Sequence, residues 1–325
     1  MSVSAPRVQR PRRPVVRAAI AIILVAAMAG CTGGQESPSA PPGPGKSSAT
    51  AAPSGGVSPG GAPADAPAAA PAPDAPIRND AGWAADAVTR TDRALDHAID
   101  AWRSSGATTH GEPPSSVVLP ALYLQRIYRF LARHPALTRR TAARLPAPLA
   151  SQVKDNATAV RGLLSLTRPV RDPKVVRTGR PLPAGTLLGY FQRAGRRFDI
   201  SWQVLAAIML VETKFGRVKS SSWAGAQGPM QFLRATWKAY GLGGDVHDPR
   251  DAVMGAANYL HASGAPGDYA RAVHAYNPDR RYVDAVLRHS RQMRRDPRAF
   301  YAYYNWQVFV VTTRGDVRRT GPAPR

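Results

Sequence analysis

A stretch of low sequence complexity near the N-terminus limits where a folded core can lie. Residues 31–78 are mainly Pro, Ala, Gly and Ser, with almost no large apolar side chain. Such a composition cannot bury enough apolar surface to offset the conformational entropy lost on ordering. We therefore expect residues 31–78 to form a disordered, partly extended tether. The tether either gives reach to the C-terminal part of the chain or acts only as a solubilising spacer.

The residues before the tether have the pattern of an export signal. Residues 1–17 contain five arginines and no acidic residue, and an apolar run extends from Ala18 to Gly30. The run is too short to span a bilayer as a stable helix and suits the apolar region of a signal peptide. We expect residues 1–30 to be such a peptide.

The apolar run ends at Cys31, which is the only cysteine in the chain. Two small residues directly before a lone Cys resemble the lipobox of bacterial lipoproteins, although Met28 departs from the aliphatic residue preferred there. The resemblance implies a lipoprotein acylated at Cys31, at the outer face of the cytoplasmic membrane or in the cell wall. The alternative is an ordinary signal peptide followed by an unpaired thiol.

The charge balance is strongly basic, with 44 Lys and Arg against 21 Asp and Glu and a net charge of +23. A basic surface attracts polyanions of any kind, so the charge alone does not identify a partner. Nucleic acid conflicts with the export signal, and no recognition motif supports it. With one cysteine there is no intramolecular disulfide, and the fold must depend on its core.

Helical periodicity begins near residue 79 and continues to Trp102, with Asn79 or Asp80 as a plausible N-cap. A second helix is predicted over Leu122–Arg133, and weaker helical patterns occur around 148–167 and 186–198. We expect residues 79–183 to form a helical accessory portion. It carries no recognisable chemistry.

One glutamate lies on the apolar face of a predicted helix. In Ser201–Arg217, apolar residues recur at 205, 208 and 209, and the next position on that face is Glu212. Ser201 is the predicted N-cap. A carboxyl on a buried face is desolvated, which raises its pKa toward that of a general acid. Alternatively, Glu212 reaches solvent or pairs with Lys214 or Arg217. The chain has only three glutamates, so the presence of one of them on a buried helix face favours a functional role for Glu212.

Three further segments carry polar residues on turns. The segment Ala224–Leu242 places Gln227, Gly228 and Gln231 in a glycine-bearing loop, where amides could bind a polar ligand such as a sugar. Asp248–Leu260 is predicted to be a capped, buried helix. His274–Leu287 presents Tyr276 and Asn277 between two helices.

Taken in order, ETKFGR, AGAQGPMQF, DPRDA with ANYL, and AYN with YVDAVL resemble the lytic transglycosylases, whose catalytic domain is similar to goose-type lysozyme. The ETKFGR and WAGA segments are most similar to the membrane-bound type B branch. The resemblance implies a mainly α fold with a lysozyme-like catalytic domain over 184–290. Residues 291–325 lie outside the resemblance and are expected to form a C-terminal β-hairpin and tail. The accessory portion over 79–183 could brace the catalytic domain or dock a partner of the wall-synthesis or division machinery.

The resemblance also implies a set of site residues. Glu212 is the single catalytic acid/base, and a tyrosine hydroxyl lies within hydrogen-bond reach of it. The implied substrate-binding residues are Thr213, Gln227, Gly228, Met230, Gln231, Tyr276 and Asn277.

The implied reaction cleaves the β-1,4 bond between MurNAc and GlcNAc in peptidoglycan. Most glycosidases pair two carboxylates, but substrate-assisted families are exceptions. Here the 2-acetamido group would assist departure while Glu212 protonates the leaving oxygen, and the C6 hydroxyl would close a 1,6-anhydro ring. Two alternatives stay open: a hydrolytic muramidase, and a catalytically silent peptidoglycan-binding lipoprotein.

No cofactor and no metal are expected. The type B branch often has a calcium loop, but Asp245, Asp248 and Asp251 are too few and too closely spaced for one. Near the C-terminus, Ala299–Arg319 is rich in aromatic and β-branched residues and predicts a β-hairpin with a turn at Arg314–Asp316. The hairpin either packs on the helices or forms a wall of a glycan cleft.

Overall fold

The computed structural model describes residues 71–323. The predicted signal peptide, the lipidation site at Cys31 and most of the tether lie outside the described residues. Residues 71–78 form no helix or strand, but they are not free of the fold. Pro73 is buried, and the Arg126 guanidinium donates to the carbonyls of Asp74 and Ala75. The last tether residues are therefore packed on the helices, contrary to the expectation of disorder through residue 78.

Four helices form the accessory portion. They are α1 (Ala81–Ser104), α2 (Ser115–Arg133), α3 (Pro135–Ala142) and α4 (Ala147–Leu166). Asp80 is the N-cap of α1, because its carboxylate accepts the N–H of Trp83 at 2.7 Å. The second helix begins seven residues earlier than its apolar pattern predicts, directly after Pro114. Proline has no backbone N–H, and this costs nothing at the N-cap, because the first N–H groups of a helix have no acceptor within the helix.

Seven helices and a hairpin complete the described residues. They are α5 (Ala184–Phe198), α6 (Trp202–Thr213), α7 (Arg234–Tyr240), α8 (Pro249–Ala262), α9 (Tyr269–Tyr276), α10 (Arg280–Arg295) and α11 (Arg298–Tyr304), then β1 (Phe309–Thr312) and β2 (Gly315–Arg318). The fold is mainly α with a small antiparallel hairpin, as predicted. None of the helices within residues 71–323 is both long and apolar enough to cross a membrane.

The C-terminal aromatic segment differs from its prediction in its first half. Arg298–Tyr304 is the helix α11 and not a strand. Phe300 in α11 is completely buried, and its ring packs edge-on against Phe191, Trp202 and Phe215 at centroid distances of 6.2, 5.8 and 5.6 Å. This packing around Phe300 outweighs the β-propensity of the aromatic residues. Only Phe309–Arg318 forms the hairpin.

The accessory helices and the later helices share one hydrophobic core. The largest contact between them joins α4 to α10. Asp155 of α4 is 4% exposed and accepts hydrogen bonds from Arg288, Arg291 and Gln292 of α10. Burial would raise the pKa of Asp155, but these hydrogen bonds outweigh it and lower the pKa. The accessory portion therefore braces α10, while the boundaries at residues 183 and 290 stay predictions about sequence organisation.

Candidate active site

Glu212 lies in the last turn of α6, where every residue from Val204 to Thr213 is buried. Its side chain is 1% exposed and forms no ion pair with a described residue. Its buried position on the helix is the one its spacing predicts, and it neither reaches solvent nor pairs with Lys214 or Arg217. Burial raises the pKa of Glu212 to about 8, against the opposing effects of the Tyr282 hydrogen bond and the Lys214 charge. A carboxyl with that pKa is protonated at neutral pH.

Tyr282 of α10 is the direct partner of the carboxyl. Its hydroxyl donates to Oε1 of Glu212 at 2.7 Å, and both side chains are buried. The other oxygen, Oε2, has no hydrogen-bond partner among the described residues. Tyr282 was not among the predicted site residues, although it is the first buried residue of α10 and lies within the YVDAVL segment.

Tyr276 is not the tyrosine that contacts the carboxyl. It ends α9, and its hydroxyl donates to the carbonyl of Met230 at 2.6 Å. Burial, and then the charge of Glu212, raises the pKa of Tyr276 well above its usual value. The tyrosine bonded to the carboxyl is therefore Tyr282, and Tyr276 holds the glycine-bearing loop.

A left-handed turn ends α6 directly after the carboxyl. Lys214, Phe215 and Gly216 have φ of 51°, 59° and 81°. The turn closes with the N–H of Lys214 on the carbonyl of Leu210 and the N–H of Phe215 on that of Met209. Non-glycine residues adopt this conformation only at a cost, which the burial of Phe215 in the core offsets. The turn redirects the chain toward the glycine-bearing loop.

The glycine-bearing loop is fastened to the end of α6 by Thr213. The Thr213 hydroxyl donates to the carbonyl of Pro229 at 2.6 Å and accepts the N–H of Gly216 at 2.9 Å. The loop itself is closed by two backbone bonds between Gln227 and Phe232. Thr213 was predicted to orient substrate. Here it is completely buried, and its hydroxyl holds the backbone.

Gly228 lets another segment cross the loop at close range. Its φ is 73°, and a Cβ built there would meet the carbonyl oxygen of Val246 at 1.9 Å. Only glycine fits this position. The loop thereby packs against the turn that precedes α8, where Asp248 accepts the N–H groups of Arg250 and Asp251 as the N-cap.

Two amides of the site keep unsatisfied polar atoms. Gln231 is 4% exposed; its Nε2 donates to the carbonyl of Gly228, while Oε1 has no partner among the described residues. Asn277 is 1% exposed, and its Nδ2 has no such partner either. Buried polar atoms without partners are rare in folded proteins. Together with Oε2 of Glu212, they are the groups that a ligand could satisfy.

A groove of about 400 Å³ lies beside the loop, lined among others by Met209, Gly216, Gly228, Pro229 and Gln231. Glu212 does not line it, although Met209 lies three residues before it on α6 and Gly216 follows in the turn after α6. Gln227 is half-buried where the loop closes on Phe232, and Met230 is completely buried.

The structure therefore joins Thr213 and Tyr276 to the loop that carries Gln227, Gly228, Met230 and Gln231. Asn277 is hydrogen-bonded to the backbone of Val273 and Asp279 instead. The carboxyl of Glu212 stays covered.

The carboxylates of Asp245 and Asp251 accept hydrogen bonds from the backbone. Asp251 accepts the N–H of Asp245, and Asp245 accepts that of His247. No group of three or more His, Cys, Asp or Glu side chains within residues 71–323 could hold a metal ion. The absence of a metal from the working protein stays a prediction.

A mainly helical fold with a small hairpin, in which a buried carboxyl lies at a helix end next to a glycine-bearing loop, is consistent with a lysozyme-like helical domain. Residues 189–296, about a third of the chain, match the family model described as the transglycosylase SLT domain. Comparison with curated proteins and comparison with solved structures gave no significant match. The family match supports the predicted lytic transglycosylase relationship, with the glycan strands of peptidoglycan as the substrate class.

Proposed function

We propose that this protein is a peptidoglycan lytic transglycosylase in which Glu212 is the only catalytic acid/base. The observation that carries the proposal is the carboxyl of Glu212: it is 1% exposed, has a pKa raised to about 8 by burial, and is oriented by Tyr282. A general acid must be protonated at the working pH and held in place. The match of residues 189–296 to the SLT domain supplies the substrate class.

The reaction begins with protonated Glu212 giving its proton to the oxygen between MurNAc and GlcNAc, while the 2-acetamido group of MurNAc assists at the anomeric carbon. The ionised carboxylate then takes the proton of the MurNAc C6 hydroxyl, and that oxygen closes the 1,6-anhydro ring. Tyr282 donates to Oε1 throughout, so it stabilises the ionised form between the two steps. Oε2 is the atom without a protein partner, and we assign the proton transfers to it.

Burial of the carboxyl favours ring closure over hydrolysis. A site that excludes water leaves the C6 hydroxyl of the substrate as the nucleophile. The same burial requires the residues covering Glu212 to move before a glycan reaches it. The loop 225–231 borders the groove and is hydrogen-bonded to Thr213, the residue after Glu212. We place the glycan along that groove, with Gln231 as a hydrogen-bonding residue in its wall, and we keep Asn277 as a proposed substrate-binding residue that the groove does not include.

The decisive experiment compares wild type with Glu212→Gln on purified sacculi. Mass spectrometry of the wild-type products should show 1,6-anhydroMurNAc ends, and the variant should release no soluble muropeptides. Reducing MurNAc ends would identify a hydrolytic muramidase instead. Retained activity in Glu212→Gln would overturn the role of the carboxyl, and a wild type that binds sacculi without cleaving them would identify a silent binding lipoprotein.

We further propose that the protein is exported and anchored through an acylated Cys31, so that the tether allows the helical part to reach the cell wall. The support is the arginine-rich start, the apolar run to Gly30 and the lone cysteine. Cys31→Ser should move the protein from the membrane fraction to the soluble fraction. If it stays with the membrane, the anchor lies elsewhere.

A further inference from the structure

A second cavity lies on the other side of α6 from the groove. It has a volume of about 120 Å³ and is enclosed by α2, α4, the end of α6, α10 and the hairpin. It shares no lining residue with the groove beside the glycine-bearing loop. The catalytic scheme proposed above does not use it.

Most of the cavity wall is apolar. Val160 and Leu164 of α4, Val211 of α6 and Trp306 line it, together with Val310 of the hairpin. Leu164 and the neighbouring Thr167 are half-buried and Arg168 is exposed, so the cavity opens to solvent at the end of α4. An apolar chamber with one opening accepts a small apolar group from solution.

The charged side chains that line the cavity are basic. Lys214, Arg129 and Arg168 line it, and no carboxylate does. The Lys214 ammonium makes one hydrogen bond, to the carbonyl of Leu210 at 2.9 Å, and forms no ion pair with a described residue. His289 is 1% exposed, lines the same cavity, and its Nδ1 has no partner among the described residues. A half-buried cation and the unpartnered nitrogen of a buried imidazole thus line one cavity.

The nearby acids leave this charge uncompensated. Asp316 is bound by Arg129 and Arg133. Asp155 is bound by Arg288 and Arg291. Glu212 is mostly protonated at neutral pH, because burial raises its pKa to about 8. Burying an ammonium without an anionic partner is costly, so an anion at Lys214 would be stabilised.

We propose that this cavity is a binding site for a small carboxylate that carries a compact apolar group, with the carboxylate on Lys214 and the apolar group between α4 and the hairpin. An apolar cavity of about 150 Å³ holds one benzene molecule. The volume here is smaller, about 120 Å³, so the apolar group can be no larger than one small ring or a branched alkyl group. The carboxylate accepts from the Lys214 ammonium, and His289 can donate from Nδ1 in the matching tautomer.

Three probes of one shape and different charge test the proposal on the full chain: benzoate, benzamide and benzamidine. Titration calorimetry should show benzoate binding at least tenfold more tightly than benzamide, and benzamidine not binding. Methyl chemical shifts of Leu164 and Val211 should move with benzoate, which locates it in the cavity. Equal affinity for the three probes, or no binding at millimolar concentration, would overturn the proposal.

Lys214→Met keeps the length of the side chain and removes its charge. It should lower benzoate affinity at least tenfold, to the level of benzamide, while Lys238→Met, an exposed lysine on α7, should change nothing. Unchanged benzoate binding in Lys214→Met contradicts the site. If that variant does not fold, Leu164→Phe serves in its place, because filling the chamber should abolish binding of benzoate and benzamide alike.

Two sources could supply such a carboxylate: a free organic acid, or the carboxyl end of a short peptide. Acetyl-D-alanine as a competitor separates them. Displacement of benzoate assigns the site to peptide ends, and failure to displace it assigns the site to free acids. Either result supports the site and identifies its source.

Discussion

The hydroxyl of Tyr282 lies 2.7 Å from Oε1 of Glu212, and neither side chain is exposed to bulk water. Burial, followed by the charge of Glu212, raises the pKa of Tyr282 well above its usual value, so its hydroxyl remains a donor. The bond fixes one carboxyl oxygen and leaves the other without a protein partner. The two oxygens of one carboxyl therefore have different roles.

Tyr282→Phe should destabilise the ionised form of Glu212 more than the neutral form, because the hydrogen bond from Tyr282 lowers the pKa of that carboxyl. The pKa should rise further above about 8. Hydrogen bonds to charged groups contribute about 1.5–3 kcal/mol, so the turnover rate should fall at least tenfold. The pH profile of muropeptide release checks this. A rate loss with an unshifted basic limb would mean that Tyr282 has only a packing role.

Glu212→Gln should be more stable than wild type at alkaline pH. Burial raises the pKa of Glu212 from 4.5 to about 8, so the folded state binds the proton more tightly than the unfolded state. Wild-type stability should therefore fall as the pH rises from about 4.5 to about 8, while the variant lacks this loss. The gap should reach a few kcal/mol at about pH 9 and close near pH 4.5. Urea unfolding at each pH measures it, and a gap independent of pH would contradict a raised pKa.

Thr213→Val should loosen the glycine-bearing loop without changing side-chain volume. The substitution leaves the carbonyl of Pro229 and the N–H of Gly216 without their partner in a buried site. The expected loss is about 2 kcal/mol in the free energy of unfolding. Thr213→Ser keeps the hydroxyl but removes a buried methyl group, so it is the control for packing. A Val variant as stable as wild type would show that the two bonds contribute nothing.

Gly228→Ala and Gly225→Ala form a matched pair at one loop. Both glycines have a positive φ, 73° and 77°, but a Cβ at 228 would meet the carbonyl of Val246 at 1.9 Å, whereas a Cβ at 225 meets no atom within 4 Å. Gly225→Ala should cost only backbone strain, about 1–2 kcal/mol. Gly228→Ala should cost more and should also reduce activity, because the loop must shift. Equal melting temperatures for the two variants would contradict this packing.

Asp96→Asn should remove a pH dependence that arises far from Glu212. Burial, and then the charge of Asp92, raises the pKa of Asp96 to about 7, so wild-type stability should fall as the pH rises from about 4 to about 7. The variant should be the more stable protein at pH 8 and show no advantage near pH 4. Asp86→Asn, on the exposed face of α1, is the control. Parallel curves of stability against pH for wild type and Asp96→Asn would contradict a raised pKa of Asp96.

Local patterns were sufficient for part of the site. The burial of Glu212 follows from helical spacing within ten residues, and Asp80 and Asp248 cap helices at the positions expected. Ser201 precedes α6 as predicted, but its hydroxyl contacts Gln203 and does not cap the helix. The spacing of residues predicts where a helix begins, but it does not predict whether the Ser201 hydroxyl bonds to the Gln203 side chain or to a backbone N–H of the helix.

Contacts between distant segments were not predictable in this way. Tyr282 is 70 residues from Glu212, and its contact depends on how α10 packs against α6. The helix at Arg298–Tyr304 was predicted as a strand because aromatic residues favour strands, whereas the position of Phe300 in the core decides its structure. The hydrogen bond from the Tyr276 hydroxyl to the Met230 carbonyl also joins segments that are distant in sequence.

The bridge between Asp155 and α10 has a consequence for how such a segment spreads among proteins. The region that matches the family model, residues 189–296, contains α10 but not the helix that binds its arginines. Transplanted alone, that region would carry an unpaired basic face and an open side of α10 into its new host. In this protein the block that matches the family model is therefore smaller than the unit that packs together, and residues 189–296 moved into a new host without α4 should be less stable than they are here.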